Sequence, residues 1–173
     1  MNESKKFIPI NIGLITISDT RTLKDDKSGE LLKNRIINFG HNLLSRQIIK
    51  DDFDLIKKTI LELVHNKLID VIITTGGTGL TGRDSTPEVI ESIANKKIDG
   101  FGELFRQLSY AKIGTSTIQS RAIGALIQGT YIFALPGSTS ACKDAWDEIL
   151  QFQLDNRYRP CNFIEIMPRI LEK

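Results

Sequence analysis

The stretch Thr74-Thr75-Gly76-Gly77-Thr78-Gly79-Leu80-Thr81-Gly82-Arg83-Asp84-Ser85-Thr86-Pro87-Glu88 concentrates the chemistry of this chain. Glycine lets a backbone approach a ligand closely and adopt positive φ. Unpaired backbone N–H groups beside a helix N-terminus favour anions, phosphates above all. The segment follows an apolar run and ends in Thr86-Pro87-Glu88, which predicts a helix start with Thr86 as hydroxyl cap and Pro87 at the first helical position. Asp84 would repel a phosphate unless a cation lies between them. The combination points to a phosphorylated ligand handled with a divalent metal. A tight strand-to-helix connection is the other reading of such a turn. Neither the Gly-Lys-Ser/Thr of a P-loop nor the dinucleotide fingerprint at a first strand is present.

Other groups fall in loops that a sheet could gather. They are Ser18-Asp19 with Asp25-Asp26, then Asp51-Asp52, then Leu135-Pro136-Gly137-Ser138 before a helix. Carboxylates converging on a phosphate loop call for a cation, and Mg²⁺ is the natural one, held by one or two carboxylates, waters and substrate phosphates. Asp25 and Asp52 read as turn or cap residues. Ser120-Arg121 supplies a hydroxyl and a guanidinium for a phosphate or the carbonyl edge of a heterocycle. Glu103, in Gly100-Phe101-Gly102-Glu103, is placed at a helix start, where an acid is also favourable to the dipole. No Ser-His-Asp arrangement is visible, and Cys142 and Cys161 lack a CxxC or a His cluster, so free thiols are expected and zinc is not. His41 and His65 read as surface residues. Binding with phosphoryl or nucleotidyl transfer remains, chemistry that needs positioning and charge neutralisation more than a protein nucleophile.

The elements that must position these groups alternate. Strands are predicted over 8–18, 43–49, 69–75, 122–127 and 131–135, with Gln128-Gly129 as a hairpin turn. Helices are predicted from Ser28 to a Gly40 cap and over 53–64, 87–94, 101–110 and 138–154. The tail, 160–173, shows no clear period. This pattern predicts one domain, 1–173, of the α/β class: a three-layer α/β/α sandwich with a mostly parallel sheet and one antiparallel strand. Ligands then bind at the carboxyl ends of the strands.

Composition fits that reading. The chain has 173 residues, 40% hydrophobic and 25% charged, with a formal net charge of +2. Lys and Arg are dispersed, so no nucleic-acid partner is expected. No apolar run approaches the ~20 residues of a membrane span. The polar start Met1-Asn2-Glu3-Ser4 does not read as a signal peptide, and a cytoplasmic protein is expected.

In order and spacing, several motifs resemble the MoaB/Mog family of molybdenum cofactor biosynthesis. These are Ser18-Asp19 with Asp26-x-Ser28-Gly29, Thr75-Gly76-Gly77-Thr78-Gly79 through Arg83-Asp84 to Glu88, Gly100-Phe101-Gly102-Glu103, Ser120-Arg121 and Leu135-Pro136-Gly137-Ser138. Arg159-Pro160-Cys161-Asn162-Phe163 points to the MoaB branch. The resemblance implies a three-layer subunit assembling as a homotrimer or homohexamer. It implies molybdopterin as ligand, and transfer of AMP from Mg-ATP to the molybdopterin phosphate with release of pyrophosphate. Asp51 and Asp84 match the two carboxylates that hold metal and act in catalysis. Ser18, Asp19, Ser28, Gly29, Gly102, Glu103, Ser120, Arg121, Pro136, Gly137 and Ser138, with Thr75 to Gly79, would bind pterin and nucleotide. A carrier that holds molybdopterin, or a precursor, without chemistry is the alternative.

Overall fold

The computed structural model describes residues 5–172; Met1–Ser4 and Lys173, and the sequence readings that fall on them, lie outside the described residues. One six-stranded sheet runs in the order β2-β1-β3-β6-β5-β4. Its strands are β1 (Asn11–Ile17), β2 (Asn42–Ile49), β3 (Val71–Thr75), β4 (Lys96–Lys97), β5 (Ile123–Ile127) and β6 (Thr130–Leu135). β2, β1, β3 and β6 are parallel, and β5 runs against both β6 and β4, so one strand is antiparallel to its neighbours. The fold is α/β, as its sequence predicts. β4 is an addition to the predicted elements.

Both faces of the central strands β1 and β3 are covered, which is why they read as nearly continuous β-branched runs. On one face Ile12, Leu14, Val71, Ile73 and Phe133 pack with α1 (Lys27–Phe39), α4 (Asp99–Ile113) and α5 (Thr139–Ala145). On the other, Ile15, Ile17, Ile72 and Ile132 meet α2 (Phe53–His65) and α3 (Thr86–Ile93). The first strand begins at Asn11, not Ile8: Ile8 N–H donates to the Asn156 side chain at 2.9 Å instead of joining a ladder. Helix α4 extends to Ile113 before a 3₁₀ stretch at Gly114–Gln119. After α5 a π-turn, Trp146–Leu150, leads into α6 (Gln151–Gln153). The tail, which shows no clear period, holds a short helix capped by Asn162, α7 (Phe163–Ile166), that buries Ile164.

His41 is a correction to the sequence reading. It is 4% exposed, with its ring 5.2 Å from Phe7, 5.3 Å from Phe39 and 6.3 Å from Trp146. Its Nδ1 accepts from Ile10 N–H at 3.3 Å. Burial pushes its pKa down to about 4, against the opposing charge of Asp155. Cys142 is buried and Cys161 exposed, both free. Among the described residues no helix is long and apolar enough to cross a membrane.

The sheet order places β1 between β2 and β3, so the chain leaves β1 in one direction and returns past it to form β3. Loops after β1 and β3 therefore diverge at a topological switch point, where open α/β sheets leave a crevice.

Candidate functional site

The loop after β3 has an unusual backbone. Gly76 and Gly77 both have positive φ, 99° and 64°. A Cβ at Gly76 would lie 2.2 Å from the Ile17 carbonyl oxygen, and one at Gly77 2.3 Å from Thr86 Oγ1. These positions demand glycine. The segment's carbonyls are turned inward. Thr86 Oγ1 donates to Gly76 O at 3.2 Å, Thr86 N–H to Gly77 O at 2.9 Å, and Arg121 Nε to Thr78 O at 3.2 Å. The Gly77 and Thr78 N–H groups meet no acceptor among the described residues. A backbone that hides its carbonyls and frees its amides is an anion nest. Thr86 is thus the first residue of α3 rather than its cap; Ser85 takes the cap position without a side-chain bond.

Two carboxylates flank this nest, with pKa values shifted in opposite directions. Asp84 Oδ2 accepts from Thr81 N–H at 3.0 Å and from the Thr81 hydroxyl. The Thr81 hydroxyl bond holds its pKa down, assisted by the Thr81 and Gly79 amides and opposed by burial. Asp51, after β2, has its pKa raised, first by burial and then by the charge of Asp84, while the Ser85 amide pulls the other way. Asp51 Oδ1 is buried with no hydrogen-bond partner, and Oδ2 lies 3.0 Å from where a Gly77 Cβ would be. A buried unpartnered carboxylate oxygen is costly unless something arrives to use it.

The donor set suits Mg²⁺, a hard cation that takes carboxylate and phosphate oxygens and keeps several waters. No group of three or more His, Cys, Asp or Glu converges as a metal site among the described residues. A cation here would draw on Asp51 and Asp84 and on oxygens brought by the substrate.

Of the remaining predicted site residues, Asp19 is exposed and accepts from Arg83 Nη2 at 3.0 Å, tying the β1 loop to the Gly-rich loop. Ser18 Oγ accepts from Thr20 and Arg21 N–H groups and shapes the turn after β1. Ser28 and Gly29 are buried in the first turn of α1. Gly29 N–H donates to the cap, Asp26 Oδ1, at 3.0 Å, and a Cβ at Gly29 would lie 2.0 Å from Asp26 Oδ2. Asp26 itself is buried rather than lining the ligand edge. Asp25 accepts from Thr22 and Asp52 caps α2, the turn and cap roles their positions suggest. Thr75 is buried, donating to Pro136 O at 3.1 Å. Pro136 and Gly137 form the turn after β6, and Ser138 caps α5 by accepting from Ala141 N–H at 3.3 Å.

Gly102, Glu103, Ser120 and Arg121 line a neighbouring cavity of about 430 Å³, with Glu88 and Arg106. Glu103 lies within α4 rather than at its start, since that helix begins at Asp99. Ser120 Oγ is buried without a partner. Arg121 connects cavity and nest. Besides Thr78 O it donates to Asp84 O at 2.8 Å and pairs with Glu88. Its guanidinium is directed at the loop backbone.

Arg21 escaped the sequence reading. Its Nη1 donates to Ser28 Oγ at 2.7 Å and its Nη2 to Gly137 O at 2.9 Å. The sequence signal is an Arg three residues after Ser18, but its partner Gly137 lies 116 residues away.

Comparison with known proteins agrees with this geometry. Residues 13–156 match the model of a probable molybdopterin binding domain. Molybdenum cofactor biosynthesis protein B of Escherichia coli (strain K12) is 42% identical over 160 residues, covering 92% of this chain and 94% of that protein. The protein of the same name from Bacillus cereus is 42% identical over 153 residues, covering 87% and 90%. A crystal structure of molybdenum cofactor biosynthesis protein B superposes with a TM-score of 0.84 at 41% identity, covering 87% of this chain and 94% of that one. The tungsten cofactor synthesizing protein MoaB from Pyrococcus furiosus gives a TM-score of 0.74 at 34% identity, covering 82% and 91%. With its anion nest at the switch point and this similarity along most of its length, the chain belongs to the MoaB/Mog family of molybdenum cofactor biosynthesis proteins.

Proposed function

We propose that the chain binds molybdopterin and transfers AMP from Mg-ATP to its terminal phosphate. In that reaction a phosphate oxygen of the pterin attacks the α-phosphorus of ATP. The bond from that phosphorus to the bridging oxygen breaks, and pyrophosphate leaves. The observation that carries the reading is the orphaned Oδ1 of Asp51 beside a nest of free amides. The Gly77 and Thr78 amides would hold phosphate oxygens, and Asp51 with Asp84 would hold Mg²⁺. Bound there, Mg²⁺ would neutralise charge on the triphosphate and on the leaving pyrophosphate. The cavity beside Arg121 would take the pterin end, with Gly102, Glu103 and Ser120 on its wall.

A carrier is the second reading. What favours it is that Asp84 Oδ2 is already engaged by Thr81, which leaves fewer free carboxylate oxygens for a metal. Incubating the protein with molybdopterin, ATP and Mg²⁺, with Asp51→Asn alongside, separates the two. Adenylylated molybdopterin from the wild type and none from the variant supports the transferase. No product, with pterin bound and no heat from Mg-ATP in calorimetry, moves the chain to the carrier reading. The proposal includes a cytoplasmic homotrimer or homohexamer, which sedimentation tests.

A further inference from the structure

The turn after β6 hides its carbonyls as the Gly-rich loop does. Leu135 O accepts from Gly76 N–H at 3.0 Å, and Pro136 O from Thr75 Oγ1 at 3.1 Å. Gly137 O accepts from Arg21 Nη2 at 2.9 Å. The first two donors belong to the end of β3 and the turn just beyond it, so the sheet itself supplies them. The third comes from a charged side chain 116 residues away in sequence. A trans peptide is planar, with C=O and N–H pointing oppositely. Pinning Gly137 O toward Arg21 therefore aims Ser138 N–H away from it, and that N–H has no acceptor among the described residues. Gly137 packs on the nest: a Cβ there would lie 3.4 Å from Gly76 Cα.

Arg21 also sits beside Asp26, Nη1 to Oδ1 at 3.7 Å, but that carboxylate has closer support. Arg46 Nη2 lies 3.3 Å from Asp26 Oδ2 and pairs with Glu30 as well. The side chain of Arg46 is 14% exposed and that of Arg21 33%. Arg46 can thus carry the buried charge while Arg21 spans to the turn.

We propose that Arg21 is a positioning residue of this site: by pinning Gly137 O it keeps an acceptor off the anion edge and presents the Ser138 amide. Without it, the Gly137–Ser138 peptide is free to turn its carbonyl toward a bound phosphate. The kinetic arm of the test rests on the proposed transferase; the exchange arm does not.

Arg21→Lys removes the bidentate reach, because one ammonium cannot serve Ser28 and Gly137 with the same fork. Arg46→Lys is the stability reference. Ala141 and Cys142 N–H donate to Ser138 Oγ and Ser138 O, and their amide hydrogen exchange is expected to rise about tenfold in Arg21→Lys, the loss of one charge-assisted hydrogen bond. Exchange in 123–127 should be unchanged. In Arg21→Ala, millimolar guanidinium should restore protection. In turnover, Arg21→Lys should raise the KM for ATP about tenfold and leave kcat nearly untouched, whereas Arg46→Lys should lower Tm without moving KM. Wild-type exchange at Ala141 and Cys142 in Arg21→Lys overturns the proposal, and so does an equal change in Arg46→Lys. If the wild type neither binds Mg-ATP nor turns over, the transferase reading fails, and the exchange result alone decides the role of Arg21.

Discussion

Replacing Gly77 with Ala tests the nest without removing a charge. Its φ of 64° lies in the left-handed region, which costs an L-residue about 1–2 kcal/mol. The added Cβ would stand 2.3 Å from Thr86 Oγ1, the atom that donates to Gly76 O. Relieving that clash means moving the hydroxyl and giving up the bond, about 1 kcal/mol more. The sum is about 2–3 kcal/mol. For a domain of this size each kcal/mol shifts Tm by about 2–4 °C, so a fall of roughly 5–10 °C is expected. Gly82→Ala is the internal control: nothing lies within 4 Å of a Cβ there and its φ is not in the left-handed region. That variant should melt with the wild type or slightly above it, through lower entropy of its unfolded chain. Calorimetric melting of the three proteins decides the matter. Gly77→Ala melting within 2 °C of the wild type, or Gly82→Ala falling as far as Gly77→Ala, would refute the reasoning.

Three further outcomes follow from the same geometry. His41 is held neutral with a pKa of about 4, so its contribution to stability is complete above its unfolded value of 6.5. It is lost progressively as pH falls from 6.5 toward 4, by up to about 3 kcal/mol; denaturant melts across that range should show the slope in the wild type and lose it in His41→Leu. Asp51 has a raised pKa, so its charge opposes folding at neutral pH. Asp51→Asn should be at least as stable as the wild type at pH 7, with the difference shrinking as acid protonates Asp51, while calorimetry shows Mg-ATP affinity falling about tenfold or more. Arg121→Lys cannot serve Thr78 O, Asp84 O and Glu88 together, and amide exchange at 78–84 should quicken while that at 43–49 stays as in the wild type.

The sheet was legible because its central strands are buried on both faces. Ile12 to Ile17 and Val71 to Thr75 are nearly continuous β-branched runs, and that pattern has few other solutions. β4 was not legible, since Lys96 and Lys97 form an exposed edge pair whose strand character comes only from bonding to β5. His41 was misread because its sequence neighbours are Gly40 and Asn42, whereas the rings that bury it arrive from Phe7, Phe39 and Trp146. The Gly-rich loop and both acids stood out by type and spacing. The tasks of the arginines did not, because Arg121 bonds mainly, and Arg21 in part, to backbone carbonyls. Any residue can supply a carbonyl, so no partner residue type marks such a contact in the sequence.

The two carboxylates now separate in what they can reveal. Asp84 closes the loop through Thr81, so the loop needs it whether the protein transfers AMP or merely holds a pterin. Loss of activity on changing Asp84 therefore mixes a folded-loop effect with a chemical one. Asp51 is different. Its Oδ1 bonds to nothing among the described residues, its charge is disfavoured by burial and by Asp84, and its removal is expected to relieve the fold rather than harm it. A group that costs stability and holds a free oxygen beside a nest of amides is what the role proposed for Asp51 requires. Substituting it separates function from folding in a way that substituting Asp84 cannot, and that makes Asp51 the residue on which the transferase and carrier readings divide.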